Sequence, residues 1–148
     1  MNPMAEPPQA RDPQPTPQTL PVQGQEDVVR VRQVVRSLAL SLGFSLLEQT
    51  KLITAASELA RNTLVHGGGG SCVIESVTAT PAVVGIRLTF EDHGPGIDDL
   101  ESALRDGFST AKGLGLGLGG SRRLVNEFDL WSQVGEGTRV TITKWRQR

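Results

Sequence analysis

The sequence contains a single cysteine, almost no net charge and no long apolar run. Cys72 alone excludes an internal disulfide or a cysteine-cluster metal site, and a reducing cytoplasm is the expected compartment. Lys and Arg number 15 against 16 Asp and Glu, so the net charge of −1 gives no bulk electrostatic basis for binding nucleic acid. The absence of a run of about 20 apolar residues excludes a membrane-spanning helix. The N-terminus also lacks the basic-then-apolar pattern of a secretory signal.

Proline is concentrated at one end of the chain. Seven of the 9 prolines fall within the first 21 residues, in a segment rich in glutamine and poor in large apolar side chains. Such a segment cannot bury enough surface to offset the entropy lost on ordering. We therefore expect a disordered tail over residues 1–19 and one domain over residues 20–148, since 148 residues allow one domain plus an extension.

Hydrophobic periodicity predicts helices first and then strands. The predicted helices cover residues 27–42, 45–65, 98–106 and 118–128. The predicted strands cover residues 20–23, 72–79, 83–91, 129–134 and 138–145. Because most strands are adjacent in sequence, the fold class is an α/β (α+β) sandwich with a mixed, mostly antiparallel sheet and helices on one face.

Two polar residues share one face of the second predicted helix. Glu58 and Asn62 are four residues apart, whereas Leu52, Ala56 and Leu59 point toward the core. A carboxylate and an amide oxygen beside a glycine loop can hold a hard cation such as Mg²⁺ or position a hydroxyl group. The alternative is an ordinary ion pair between Glu58 and Arg61 on a solvated helix face.

Asp92 ends a predicted strand and precedes Gly94 and Gly96. A carboxylate there can accept a hydrogen bond from an exocyclic amine, while the glycines leave room for a flat ring. The alternative is an aspartate–glycine turn without a ligand.

A second glycine cluster alternates with leucine just before the last predicted helix. Gly113, Gly115 and Gly117 could present backbone N–H groups to phosphate. Neither a Walker A loop nor a dinucleotide fingerprint fits the pattern. A flexible linker is the alternative, although linkers favour polar residues over leucine. Nearby Lys112, Arg122 and Arg123 could contact phosphate or remain solvated.

The order of these motifs resembles the GHKL (Bergerat-fold) ATPase and kinase superfamily. Residues 58–67, with Glu58, Asn62, His66 and Gly67, resemble its N box. Residues 92–97 and 113–118 look like its G1 and G2 boxes, and residues 135–138 look like its closing Gly-Thr motif. Residues 55–62, 106–110 and 122–128 are most similar to the anti-sigma-factor serine kinases, in particular the RsbT-type switch kinases of the bacterial stressosome.

The resemblance implies a site for ATP and Mg²⁺. It implies that Glu58 is the general base and Asn62 the metal ligand. It implies that Asp92, with Thr138 nearby, binds the adenine amino group, and that residues 98–112 form a mobile lid. The full implied nucleotide site is Asp92, Gly94, Gly96, Ile97, Lys112, Gly113, Gly115, Gly117, Leu118 and Thr138.

The resemblance also implies a function and partners. It implies a cytoplasmic protein serine/threonine kinase that phosphorylates a STAS-domain antagonist and then binds a PP2C-type phosphatase regulator, a mechanism called partner switching. The alternatives are an anti-sigma factor that binds a sigma factor directly, and an ATP-responsive binding module without catalysis. No nucleic acid or membrane is expected as a partner.

Overall fold

The computed structural model describes residues 16–105 and 117–147 of the chain. The helices are α1 (Gln25–Ser41), α2 (Leu46–Val65), α3 (Leu100–Leu104) and α4 (Gly117–Arg122). The strands are β1 (Gln18–Val22), β2 (Gly70–Thr80), β3 (Val83–Asp92), β4 (Glu127–Gln133) and β5 (Gly137–Trp145).

The strands form a five-stranded sheet in the order β1-β2-β3-β5-β4. Each pairing between described strands is antiparallel, so the predicted fold class is confirmed in its mostly antiparallel form. The β3–β5 pairing is the crossover that matters most for the site. It sets Asp92, the last residue of β3, opposite Thr138, near the start of β5.

The core lies between one face of this sheet and the helices. On β3, the buried residues Ile86, Leu88 and Phe90 alternate along the strand, as expected when one face is covered. The long helix α2 buries Leu52 and Leu59 against this face. Asn62 and Thr63, in the last turns of α2, border the same space as Asp92.

Helix α2 begins at a capping box. The Ser45 side chain accepts from the Glu48 N–H, and the Glu48 carboxylate accepts from the Ser45 N–H. Glu48 also accepts from the Gln147 N–H at 2.6 Å, which ties the end of the chain to α2. Burial by itself would raise the pKa of Glu48, but these hydrogen bonds and nearby Lys144 lower it below its usual value.

The last helix is shorter than its pattern predicts. The pattern predicts a helix over residues 118–128, but α4 ends at Arg122 and Phe128 lies in strand β4. Tertiary hydrogen bonds to β5 replace helical ones here: Lys144 Nζ donates to the Leu124 carbonyl, and the Trp145 N–H donates to the Asn126 side chain at 2.7 Å. Adjacent Gly119 and Gly120 also weaken helix continuation.

The other element boundaries differ by smaller amounts. The first strand begins at Gln18, inside the segment expected to be a tail, and it buries Leu20 and Val22. Helix α3 covers only Leu100–Leu104, because the backbone at Arg105 is extended. Within the described ranges, no helix combines the length and apolar character needed to cross a membrane.

The position of β1 leads to a stability prediction for the N-terminal segment. Deleting residues 1–15 should leave the melting temperature nearly unchanged, because their composition offers little apolar surface to bury. Deleting residues 1–22 should lower it strongly, since this removes buried Leu20 and Val22. Thermal unfolding of the two truncations would test this. A large loss in the shorter truncation would show that residues 1–15 pack on the domain.

Candidate functional site

A cavity of about 280 Å³ opens between α2, the ends of β3 and β5, and the loop after β3. Its walls are mainly apolar, with a few polar groups at one end, as is typical of small-molecule sites. The lining residues are Leu59, Asn62, Thr63, His66, Gly67, Phe90, Asp92, Pro95, Gly96, Ile97, Ala103, Leu118, Thr138 and Val140.

Asp92 and Thr138 form the polar end of this cavity. The two residues are cross-strand partners on β3 and β5, so their side chains project to the same side of the sheet. Asp92 is buried, and its Oδ1 accepts a hydrogen bond from the Gly94 N–H at 2.9 Å. Among the described residues this carboxylate accepts no other hydrogen bond, so Oδ2 can accept from a ligand.

The glycines around Asp92 make room chiefly for neighbouring backbone. A Cβ atom on Gly94 would lie 2.7 Å from the Gly67 carbonyl oxygen. A Cβ atom on Gly96, where φ is +81°, would lie 2.3 Å from the Gln133 carbonyl oxygen. The expectation that both glycines leave space for a flat ring stays a prediction. Gly96 lines the cavity, whereas Gly94 packs against Gly67, just after α2.

Gly67 lies directly against the Asp92 carboxylate. A Cβ atom on Gly67 would lie 2.3 Å from Asp92 Cγ, closer than packed atoms can approach. Its φ lies outside the positive region, so a substitution would be limited by space alone. Any larger residue at this position must displace the carboxylate.

This contact predicts a binding defect for Gly67→Ala. Displacement of Asp92 should weaken nucleotide binding about tenfold, since overpacking a tight contact costs roughly 1–3 kcal/mol. Gly68→Ala is the matched control: it adds the same methyl group into open space at a positive φ of +77°, so it should cost stability but leave affinity unchanged. Titration calorimetry on both variants would check this. Equal affinity in Gly67→Ala and the wild type would contradict the assigned contact.

Asn62 lines the cavity, whereas Glu58, one turn earlier on α2, lies outside its lining. Glu58 is 5% exposed, so the ion pair that it forms with Arg61 at 3.3 Å is made by a buried carboxylate rather than on a solvated face. Its second oxygen, Oε2, accepts from the Gly117 N–H at 3.3 Å. The carboxylate is therefore fixed by Arg61 of its own helix and by Gly117 at the start of α4.

The Asn62 side chain has an unusual feature. Its Oδ1 is buried, and it has no hydrogen-bond partner among the described residues, although Asn62 lines the cavity. A buried oxygen without a partner costs free energy, and a bound cation is one group that would satisfy it. The arrangement therefore fits a Mg²⁺ ligand.

The glycine-rich segment is only partly described. Gly117 begins α4 with a φ of +72°, and Leu118 lies in the cavity wall. Lys112, Gly113 and Gly115 lie outside the described residues. Arg122 and Arg123 are exposed and do not belong to the cavity lining. His66 caps α2 and also lines the cavity.

Sequence reasoning missed Ser132. This residue lies on β4 opposite Thr138, and its hydroxyl group contacts the Ile97 N–H at 2.8 Å, the Gly137 carbonyl at 2.9 Å and the Thr138 hydroxyl at 2.8 Å. The available signal was alternation: Phe128 and Leu130 point inward on β4, and Ser132 is the next inward position. A serine in that series marks a polar contact.

The family of the chain is established by its match to a known family model. The family model for histidine kinase-, DNA gyrase B- and HSP90-like ATPases matches residues 47–148. The chain belongs to this GHKL ATPase family. Its matched region contains α2, the cavity and the closing hairpin, while the match leaves out α1 and β1.

Individual relatives agree with this GHKL assignment. The chain is 46% identical over 119 residues to Serine/threonine-protein kinase RsbT of Bacillus subtilis (strain 168), covering 80% of this chain and 89% of that protein. It is 31% identical over 119 residues to Anti-sigma F factor of Thermoanaerobacter sp. (strain X514), covering 77% and 82%. These matches confirm the predicted family and the predicted class of enzyme, a protein serine/threonine kinase.

A solved structure supports the fold separately. The crystal structure of the RsbU and RsbW domains from Mycobacterium tuberculosis matches with a TM-score of 0.57 and 20% identity, over 89% of this chain and 33% of that chain. At this identity the match concerns the fold alone.

Proposed function

We propose that this GHKL protein transfers the γ-phosphoryl group of ATP, in a Mg²⁺-dependent reaction, to a serine or threonine of a STAS-domain antagonist in the cytoplasm. The observation that carries the proposal is the set of polar groups in and beside one cavity. An aspartate oxygen without a hydrogen-bond donor and an unsatisfied asparagine oxygen belong to residues that line it, and a buried glutamate lies one helical turn from the asparagine. These groups match the needs of base recognition, proton removal and metal binding.

Adenine recognition would use Asp92 and the apolar walls. Because the Gly94 N–H already donates to Asp92 Oδ1, Oδ2 is the oxygen that can accept from the 6-amino group. Leu59, Phe90 and Val140 offer apolar contacts to a flat ring. Phosphate binding would use the backbone N–H groups of Gly113 and Gly115 with Lys112, an assignment that rests on the resemblance of the glycine-rich segment. The Gly117 N–H donates to Glu58 instead.

Mg²⁺ would be held by Asn62 together with phosphate oxygens and water. In residues 16–105 and 117–147, no three His, Cys, Asp or Glu side chains converge, and Mg²⁺ often takes only one or two protein ligands in nucleotide sites. When bound, the ion would neutralise charge on the transferred phosphoryl group. The unsatisfied Asn62 Oδ1 supports this role without reference to activity.

Glu58 would remove the proton of the attacking hydroxyl group. In this step the serine Oγ–P bond forms, the bond between the γ-phosphorus and the bridging oxygen breaks, the hydroxyl proton moves to the Glu58 carboxylate, and ADP leaves. Arg61 and the Gly117 N–H would orient the carboxylate. Catalysis of this kind depends mainly on positioning and charge stabilisation.

The metal assignment leads to a prediction for Asn62→Ala. Mg²⁺ should raise the affinity of the wild type for ATP, and loss of the amide oxygen should make this increase smaller by about tenfold or more. Mutation even of residues that only support a metal ligand typically costs about 10–100-fold in metal affinity. ADP binding without Mg²⁺ should stay unchanged, because no phosphate contact is removed. Calorimetry with and without Mg²⁺ separates the two effects. If Mg²⁺ raises the ATP affinity of the variant as much as that of the wild type, Asn62 is not a metal ligand.

The proposed partners are a STAS-domain antagonist and a PP2C-type phosphatase regulator. Phosphorylation of the antagonist would release this protein to bind the regulator, as implied by the resemblance to stressosome switch kinases. Direct binding of a sigma factor is a second candidate function, favoured by the 31% identity to an anti-sigma F factor.

A capture experiment tests these alternatives. The full chain, with MgATP or MgADP, would be mixed separately with a STAS-domain protein, a PP2C-type regulator and a sigma factor, and both binding and phosphate transfer would be recorded. The proposal expects transfer to the STAS protein and binding of the regulator. Binding of the sigma factor alone would favour the anti-sigma alternative, and nucleotide-dependent binding without transfer would favour the non-catalytic module.

A further inference from the structure

We propose that Ser132 is a positioning residue that fixes the hydrogen-bond polarity of Thr138 and thereby selects a 6-amino purine over a 6-oxo purine. This inference rests on the proposed nucleotide site and adds a specificity element to it. Ser132 does not line the cavity. It acts through Thr138, which does, and through the loop that carries Ile97.

A count of protons at the Ser132 hydroxyl gives the direction of each bond. A serine hydroxyl has one proton to donate and two lone pairs to accept with. The Gly137 carbonyl can only accept, so Ser132 donates its proton there, at 2.9 Å. The Ile97 N–H can only donate, so Ser132 accepts from it at 2.8 Å.

One bond then remains, between the Ser132 and Thr138 hydroxyl groups at 2.8 Å. Because the Ser132 proton is already used, Thr138 must be the donor in this pair. Ser132 is then fully satisfied, with one bond donated and two accepted. The only proton of the Thr138 hydroxyl therefore points away from the cavity, and Thr138 presents lone pairs to it.

The consequence is that the Asp92 and Thr138 side chains both accept hydrogen bonds from a ligand at this end of the cavity and donate none. Asp92 lies opposite Thr138 in the β3–β5 register, and its carboxylate is also an acceptor. The 6-amino group of adenine has protons for such acceptors. A 6-oxo group would bring its own lone pairs against those of Asp92 and Thr138, and an unmatched buried polar group is the strongest source of discrimination between similar ligands.

The same hydroxyl group also anchors the loop after β3. Ile97 lies in the cavity wall, and its N–H bonds to Ser132 across 35 residues of sequence. Loss of this anchor should weaken all purine nucleotides to a similar extent, because it affects the wall and not the 6-position. The ratio of two affinities therefore separates the polarity effect from a general structural effect.

The test compares ATP with ITP, which carries a 6-oxo group on the same ring system. In calorimetric titrations of the full chain, the wild type should prefer ATP. Ser132→Ala frees the Thr138 proton to turn toward the ligand, so the ATP-to-ITP affinity ratio should fall about three- to tenfold, the scale of one hydrogen bond. Ser132→Thr keeps the hydroxyl group and should preserve the ratio.

A double-mutant cycle tests whether Ser132 affects the affinity ratio through the Thr138 hydroxyl group. In a Thr138→Val background, Ser132→Ala should no longer change the ratio, because no hydroxyl group remains to reorient. Ser76→Ala, which removes an exposed hydroxyl from β2, is the control and should leave both affinities unchanged. An unchanged ratio in Ser132→Ala, with normal ATP preference in the wild type, overturns this inference alone. Absence of ATP binding by the wild type would instead overturn the proposed function.

Discussion

Replacing Glu58 by glutamine should lower the rate of phosphoryl transfer by about 10²–10⁴-fold, the usual effect of removing a general base. Glutamine is nearly isosteric and forms helices well, so α2 should be preserved. Its amide oxygen can still accept from the Gly117 N–H, but it cannot take up the hydroxyl proton. Nucleotide and partner binding should remain close to those of the wild type, so the loss should appear in the chemical step.

Rate and binding measurements on the same samples would check this prediction. Single-turnover transfer measures the chemical step, and calorimetry measures nucleotide affinity. Glu75→Gln is the matched control, because it makes the same change on β2, away from the Arg61 and Gly117 contacts that hold Glu58. Transfer by Glu58→Gln at the wild-type rate would show that another group accepts the proton.

The second large effect is expected for Asp92→Asn. Loss of a hydrogen bond to a charged group typically costs about 1.5–3 kcal/mol, or about 10–150-fold in affinity. The asparagine oxygen can still accept from the Gly94 N–H, so the loop should keep its conformation. The amide NH₂ group would then face the 6-amino group of adenine, and two donors would oppose each other.

ATP and ADP should be weakened to the same extent, because the lost contact is to the base. Calorimetry with both nucleotides would measure this, with Asp129→Asn on the exposed outer side of β4 as the control. A loss of affinity for ATP but not for ADP would indicate that Asp92 contacts phosphate or the metal ion and not the base. Unchanged affinity for both nucleotides would remove Asp92 from the site.

Local signals were sufficient to predict the long helices. The apolar spacing of α1 and the Ser45–Glu48 capping box of α2 are properties of short sequence windows, and both elements occur near their predicted positions. The end of α4 depends instead on distant partners. Lys144 and Trp145 bind the chain at Leu124 and Asn126, so a segment with helical spacing leaves the helix at Arg122.

In the candidate site, too, some features follow from local sequence and others depend on distant contacts. Glu58 and Asn62 share a helix face, so their spacing was sufficient to place them together. The contact between Asp92 and Thr138 depends on the register of β3 and β5, which a motif order can suggest but local spacing cannot derive. Alternation along β4 marks Ser132 as an inward polar position, but its partners are set by tertiary structure, as is the close approach of Gly67 to Asp92.

The most direct test of the central claim is the intact mass of a STAS-domain partner after incubation with the full chain and MgATP. The account predicts a gain of one phosphoryl group on a hydroxyl side chain, little gain in the same time with Glu58→Gln, and none without Mg²⁺. A partner that binds the wild-type protein tightly but remains unmodified, while calorimetry shows that ATP is bound, would contradict the catalytic account.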